Sequence, residues 1–195
     1  MKRSWLRRSY DWTLAWSTHA QASWALFIIA MIEASVFPIP PDILLLAMAL
    51  ARPQKALRFA AIATAGSVIG AMIGYGIGMF LFAAIAQPLL EFYHALDRFA
   101  EVQQLFAEYG VAIVLIAGFS PIPFKIITIA AGAFGLSFPL FIAAALLSRG
   151  ARFYLEGALL RWGGESLRQL VERHFEWLTV AVVVAVVGGF ALLWL

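Results

Sequence analysis

Phe37-Pro38-Ile39-Pro40-Pro41-Asp42 interrupts an apolar run over residues 23–51, and Ser120-Pro121-Ile122-Pro123-Phe124-Lys125 interrupts a second over 111–136. Proline lacks an amide proton and clashes with the preceding helical turn. The residue before it is pushed toward extended geometry. Neither run can therefore be a straight helix. At membrane depth the freed backbone groups would be unsatisfied in lipid, so both breaks must lie within protein or line a wet cavity. Broken apolar segments in corresponding positions of two halves point to a transporter-type binding site.

The composition agrees with a membrane setting. Of 195 residues, 63% are hydrophobic and 13% charged, about half the charge of an ordinary soluble domain, and the mean hydropathy is +0.88. The chain reads as an all-α polytopic membrane protein with one membrane domain. It has no cysteine, which excludes disulfides and thiolate metal sites. Lys2, Arg3, Arg7 and Arg8 open the chain, but the stretch after them is too polar for a signal-peptide core. Residues 1–22 instead read as an amphipathic interfacial helix, with Trp5, Trp12 and Trp16 at headgroup level.

As one straight helix, residues 23–51 would be about 43 Å long, more than a bilayer core of ~30 Å requires. Cut by the prolines, the pieces are short enough to favour a re-entrant segment over a full span. Residues 59–86 are expected to cross, and Gly66, Gly70, Gly74 and Gly78 recur every fourth residue along one face of that helix. Such a face lets another helix approach closely. Residues 87–110 are polar, 111–136 form the second re-entrant segment with Gly132 and Gly135 at its turn, and 138–160 cross again. A polar stretch, 161–176, precedes a C-terminal transmembrane helix, 177–195.

The charges select among topologies. If each broken segment enters and leaves on one side and the N-terminus is cytoplasmic, ten basic residues lie inside and only Arg98 outside. If the first segment spanned fully, Arg52, Lys55 and Arg58 would lie outside, against the positive-inside bias. The expected architecture is an inverted repeat of two re-entrant hairpins, each followed by a crossing helix, with an external C-terminus.

Superposing the two proline motifs pairs Asp42 with Lys125. The charged residues at membrane depth are Glu33, Asp42, Lys125, Arg149, Arg152 and Glu156. A charge there costs at least ~2.5–3.5 kcal/mol on insertion scales, so each is a functional candidate. The plainer reading is structural pairing, Asp42 with Lys125 and Glu33 or Glu156 with an arginine. Arg149 and Arg152 share one helix face, and two guanidiniums suit a phosphate oxyanion. Glu33 and Asp42 are candidates for taking up and releasing a proton. Ser120, Thr128 and Ser148 are hydrogen-bonding candidates beside the breaks. No nucleophile–base pair, phosphate-binding P-loop or zinc helix is readable, and His19, His94 and His174 lie in polar stretches. Neither an enzyme, a metal site, a cofactor nor a nucleic-acid partner is expected.

Four groups of residues together resemble the DedA family, the bacterial branch of the VTT superfamily, and its YqaA-like subgroup most. They are Glu33-Ala-Ser-Val-Phe-Pro-Ile-Pro-Pro-Asp42, the glycine series from Gly66 to Gly78, Gly118-Phe-Ser-Pro-Ile-Pro-Phe-Lys125, and Ser148-Arg149-x-x-Arg152-Phe153. The resemblance covers roughly residues 25–160. It implies two re-entrant hairpins facing each other in the bacterial cytoplasmic membrane and a role in lipid transport. DedA-type proteins are linked to returning undecaprenyl phosphate across that membrane, to phospholipid scrambling, and to envelope homeostasis that depends on the proton-motive force. The family's acidic residues map onto Glu33 and Asp42, and its arginines onto Arg149 and Arg152. Where many members carry a Phe-Arg-x-x-Pro-type motif, this chain has Phe119-Ser-Pro-Ile-Pro with Lys125 downstream.

The expected function is translocation of a lipid phosphate, with Arg149, Arg152 and Lys125 on the headgroup, Glu33 and Asp42 coupling protons, and Glu156, Ser120 and Thr128 in support. The alternatives are a proton-coupled exporter of small ions, a phospholipid scramblase, and a membrane assembly factor without transport. The expected partner is a membrane lipid, and self-association into a homo-oligomer stays open.

Overall fold

Where the prolines stand, the helices stop. The structure, a computed structural model, describes residues 21–37, 40–82, 84, 96–120 and 123–163. Pro38, Pro121, most of the N-terminal interfacial segment, the polar stretch after Gly163 and the C-terminal apolar helix lie outside the described residues. Among the described residues the fold is all helical. Helix α1 (Ala22–Ser35) ends before the first break, and α2 (Pro41–Ala51) follows it. A 3-10 turn, Pro53–Lys55, leads into the long α3 (Ala56–Leu81). The second half repeats the order: α4 (Leu96–Phe119), a break, α5 (Phe124–Ala133) and the long α6 (Phe138–Trp162).

The two breaks share local geometry. Pro40 caps α2 with φ −62° and ψ 118°, and Pro123 caps α5 with φ −56° and ψ 112°. An extended cap of this kind starts a helix whose first amides have no intrahelical partner and are left to other groups. Asp42 and Lys125 then each stand second in their helix, as the superposed motifs imply. After α5, Gly135 at φ +70° takes the left-handed position. Its amide donates to the Gly132 carbonyl and the Leu136 amide to that of Ala131, a Schellman-type stop.

Helix α4 departs from the expected segmentation. The apolar run from 111 is only its second half, because the helix already begins at Leu96, within the stretch read as polar. Phe106, Gly110, Val114 and Ala117 are buried at helical spacing, while Glu101 and Glu108 face outward. An amphipathic turn is invisible to a search for apolar runs but still packs. Among the described residues three helices are long and apolar enough to cross a membrane: Pro53–Leu81, Ala100–Phe119 and Phe138–Trp162. The chain is a multi-pass membrane protein.

Helix α3 is the axis of the molecule. It packs on α1, α5 and α6, and its glycine face explains how two helices share one side of it. A Cβ on Gly66 or Gly70 would strike the Phe27 or Met31 carbonyl of α1. On Gly74 it would strike Thr128 of α5, and on Gly78 the Ile129 carbonyl. Gly132 answers from α5, facing the Tyr75 carbonyl. Thus α1 lies along the first part of α3 and α5 along the rest, both running in the direction of α3, with their facing ends meeting at Gly74. Helix α6 runs the opposite way: Gly157 faces Ala56 and Ala60, Gly150 faces Thr64, and Phe141 stacks near Tyr75.

Gly70→Ala is therefore expected to destabilise by about 1–3 kcal/mol, the usual cost of overpacking. Gly76→Ala meets nothing within 4 Å, and is expected to be neutral or stabilising by about 0.5–1 kcal/mol through helix propensity. Thermal unfolding of the two variants in detergent measures the contrast. Equal melting temperatures would remove the glycine face as the reason for the close approach.

Candidate functional site

The end of α1 and the start of α5 meet on α3, and these helix ends cap one another. The last carbonyls of α1 have no intrahelical amide to receive. Thr128 of α5 donates its hydroxyl to the Ala34 carbonyl at 3.0 Å, and Lys125 Nζ donates to the Val36 carbonyl at 2.9 Å. In return, the carboxylate of Glu33 on α1 accepts from the Phe124 amide at the start of α5. A carboxylate at a helix N-terminus and an ammonium at a helix C-terminus both follow the backbone dipole. One half of the chain thus satisfies the helix ends of the other.

Around this junction α6 supplies the cations. Arg149 Nη2 lies 2.8 Å from Glu33 Oε2, and its Nε donates to Ser67 Oγ on α3 at 2.9 Å. Its guanidinium is flanked by the rings of Phe124 at 5.1 Å and Phe153 at 4.6 Å. Arg149 is only 3% exposed and Glu33 9%. Two aromatic faces and a carboxylate close this cation off from solvent and lipid alike.

Arg152, one turn on, is different. Its Nη2 and Nε lie 2.8 and 3.2 Å from Asp42 Oδ1, and its Nε 3.3 Å from Glu156 Oε1. Its Nη1 donates to the Ser120 carbonyl at 3.1 Å, the backbone group at the end of α4. A quarter of its side chain, 24%, remains exposed. Arg152 therefore ties the first break, through Asp42, to the second, through Ser120. Asp42 also sits in the first turn of α2, where a carboxylate suits the dipole.

The structure brings the six ionisable residues expected at membrane depth around the two breaks, in a pattern the sequence left undecided. Asp42 pairs with Arg152, not with Lys125. Glu33 pairs with Arg149, and Glu156 with Arg152. Lys125 forms no salt bridge among the described residues. Thr128 is buried and donates to the Lys125 carbonyl as well as to Ala34. Ser148 donates to the Ala144 carbonyl and lies against Gly118 of α4; its role is packing. Pro40, Pro41 and Pro123 stand at the breaks as expected.

Ser67 was not singled out from the sequence, and Phe124 and Phe153 stood there only as members of quoted motifs, with no role of their own. A serine in a glycine-rich helix and two phenylalanines among sixteen carry no local signal. Their importance comes from lying around Arg149. Among the described residues no cluster of histidine, cysteine, aspartate or glutamate is arranged to hold a metal ion.

The chain is similar to known proteins over nearly its whole length. The sequence pattern of the VTT domain matches residues 37–161, which contain both breaks and both arginines. A protein of Haemophilus influenzae, described only as uncharacterized, is 38% identical over 184 residues, covering 94% of this chain and 95% of that protein. One of Histophilus somni, likewise uncharacterized, is 36% identical over 184 residues, covering 94% of this chain and 96% of its own. No solved structure matches the chain.

Proposed function

The chain belongs to the VTT domain family, also called DedA, and on that premise we propose that it is a transporter that moves an anionic lipid headgroup across the bacterial inner membrane. The headgroup is a lipid phosphate, with undecaprenyl phosphate the best fit to the family resemblance. The observation that carries this reading is the cluster where the breaks meet. Three carboxylates, Glu33, Asp42 and Glu156, stand around the junction with three cations, Lys125, Arg149 and Arg152, so the formal charges cancel when all are ionised. A neutral polar cluster can persist inside a membrane at a cost that an unbalanced one could not.

The balance also supplies a mechanism. A phosphate entering this cluster adds negative charge. The added charge is accommodated if a carboxylate takes up a proton and releases its arginine. Asp42 and Glu156 share Arg152, so protonation of either frees part of a guanidinium fork that matches phosphate oxygens. Loss of the proton restores the pair and expels the headgroup. Proton coupling is thus a consequence of charge balance in low dielectric.

In this reading the helix pairs α1–α2 and α4–α5 are re-entrant hairpins entering from opposite faces. The directions of α1 and α5 along α3 support it. The charged first turns of α4, with Glu101 exposed, then extend beyond the lipid, and the N-terminus is cytoplasmic.

Purified protein in neutral vesicles is expected to accelerate the crossing of a fluorescent polyprenyl phosphate, and an inward-acid pH gradient to change that rate. The corresponding polyprenyl alcohol should gain nothing. Equal acceleration of phosphatidylethanolamine would select a scramblase. Absence of lipid movement in every arm would sink the transport reading.

A further inference from the structure

Lys125 is placed where the stability of its own helix does not explain it. It stands second in α5, at the positive end of its own helix dipole, where a cation is disfavoured. Asp42 takes the equivalent place in α2 and gains from it. Lys125 also lies inside the length of α3, because Thr128, one turn on, packs at Gly74. A lysine at that depth is costly unless paired or hydrated. Among the described residues its ammonium has one hydrogen bond, to the Val36 carbonyl, and no carboxylate. Lysine carries three donors, so two are left to point elsewhere.

The surroundings say where. Val36 and Phe37, beside the accepting carbonyl, are 59% and 60% exposed, and Ile126 next to Lys125 is also exposed. The buried cation Arg149 has aromatic walls; the partly exposed Lys125 has an apolar rim open to the outside of the bundle. A cation within an open apolar rim at membrane depth fits an anionic head joined to a hydrocarbon chain. It fits a soluble ion poorly, since the approach is through lipid.

We infer that Lys125, with Val36, Phe37 and Ile126, forms a lateral portal on which a lipid with one anionic phosphate head docks, its chain lying on the rim and in the bilayer. This rests on the transport reading and specifies its entrance. From Lys125 the phosphate has Arg152 as the next partly exposed cation, reached past the second break, while Arg149 stays closed. Because Lys125 also holds the Val36 carbonyl, a head that draws the ammonium away loosens one of the hydrogen bonds from α5 to the end of α1.

The test is photolabelling in phosphatidylcholine vesicles. The probe is a polyprenyl phosphate carrying a diazirine in its chain, and labelled residues are mapped by mass spectrometry. Labelling is expected at residues 36–37 and 126. It should fall about tenfold in Lys125→Ala, the loss expected of one charge-assisted hydrogen bond, and be retained in Lys125→Arg. The unphosphorylated alcohol with the same diazirine should label the rim weakly in every variant. Equal labelling by phosphate and alcohol overturns the portal, and so does unchanged labelling in Lys125→Ala. Loss of labelling on adding millimolar inorganic phosphate also overturns it, since a soluble ion would then be the occupant. Labelling requires no transport. A protein that labels at the rim but moves no lipid keeps the portal and loses the transport reading. One that moves lipid without rim labelling does the reverse.

Discussion

Arg149→Ala is expected to destabilise the protein by about 3–5 kcal/mol, the cost of removing one partner from a buried ion pair. Glu33, buried in the parent, would lose the guanidinium it is paired with. Ser67 would also lose its donor. The paired variant Glu33→Gln/Arg149→Met removes both charges and keeps most of the volume. It should recover the larger part of the loss, because replacing a buried pair by neutral groups is often nearly free of cost. Denaturant unfolding of the two single variants and the double variant in detergent closes the cycle. A single variant as stable as the parent would mean that Arg149 is not held as described. The role of Arg149 in transport has to be read in the double variant, where the fold is preserved.

The second large effect is expected at Arg152. Arg152→Lys keeps the charge but loses the fork. A single ammonium cannot span Asp42 and the Ser120 carbonyl with the distances of the guanidinium. Hydrogen bonds to charged groups are worth roughly 1.5–3 kcal/mol, so the initial rate of lipid-phosphate crossing should fall about 10- to 100-fold. Stability should change little, because partly exposed pairs contribute about 0–1 kcal/mol. The measurement is the flipping rate set beside the melting temperature. A variant with more than half the parent rate would show that a point charge suffices and that the fork has no part in handling phosphate. Arg149 and Arg152 thus separate by exposure: the first is expected to govern folding, and the second is the one that the proposed function puts on the phosphate.

Much of this site was legible beforehand. Glu33, Asp42, Lys125, Arg149, Arg152 and Glu156 were found by asking which charges stand in apolar sequence. The glycine series announced a close helix approach, although not that two different helices would share it. Helix α4 was legible only in part, because among the described side chains its first half turns Glu101 and Glu108 outward while Phe106 and Gly110 are buried. Apolar run length, which finds a helix apolar all round, does not register a helix with one buried face.

The sequence by itself determined where the helices break and which helix can be approached closely. Proline and glycine act through sterics that reach only a few residues along the chain, so Pro40, Pro123, Gly66 and Gly78 say what they do wherever they are folded. It also determined the inventory of charges. Only the tertiary structure decided how those charges are used. Glu33 and Arg149 are 116 residues apart in the chain, and Asp42 and Arg152 are 110 apart. Their pairing depends on α1 and α5 meeting end to end on α3 while α6 lies across the junction. An ion pair is set by a few ångströms of distance and by burial, and neither is written in local sequence. Packing therefore closed Arg149, left Arg152 half open, and gave Lys125 a backbone carbonyl in place of the carboxylate that the repeat suggested.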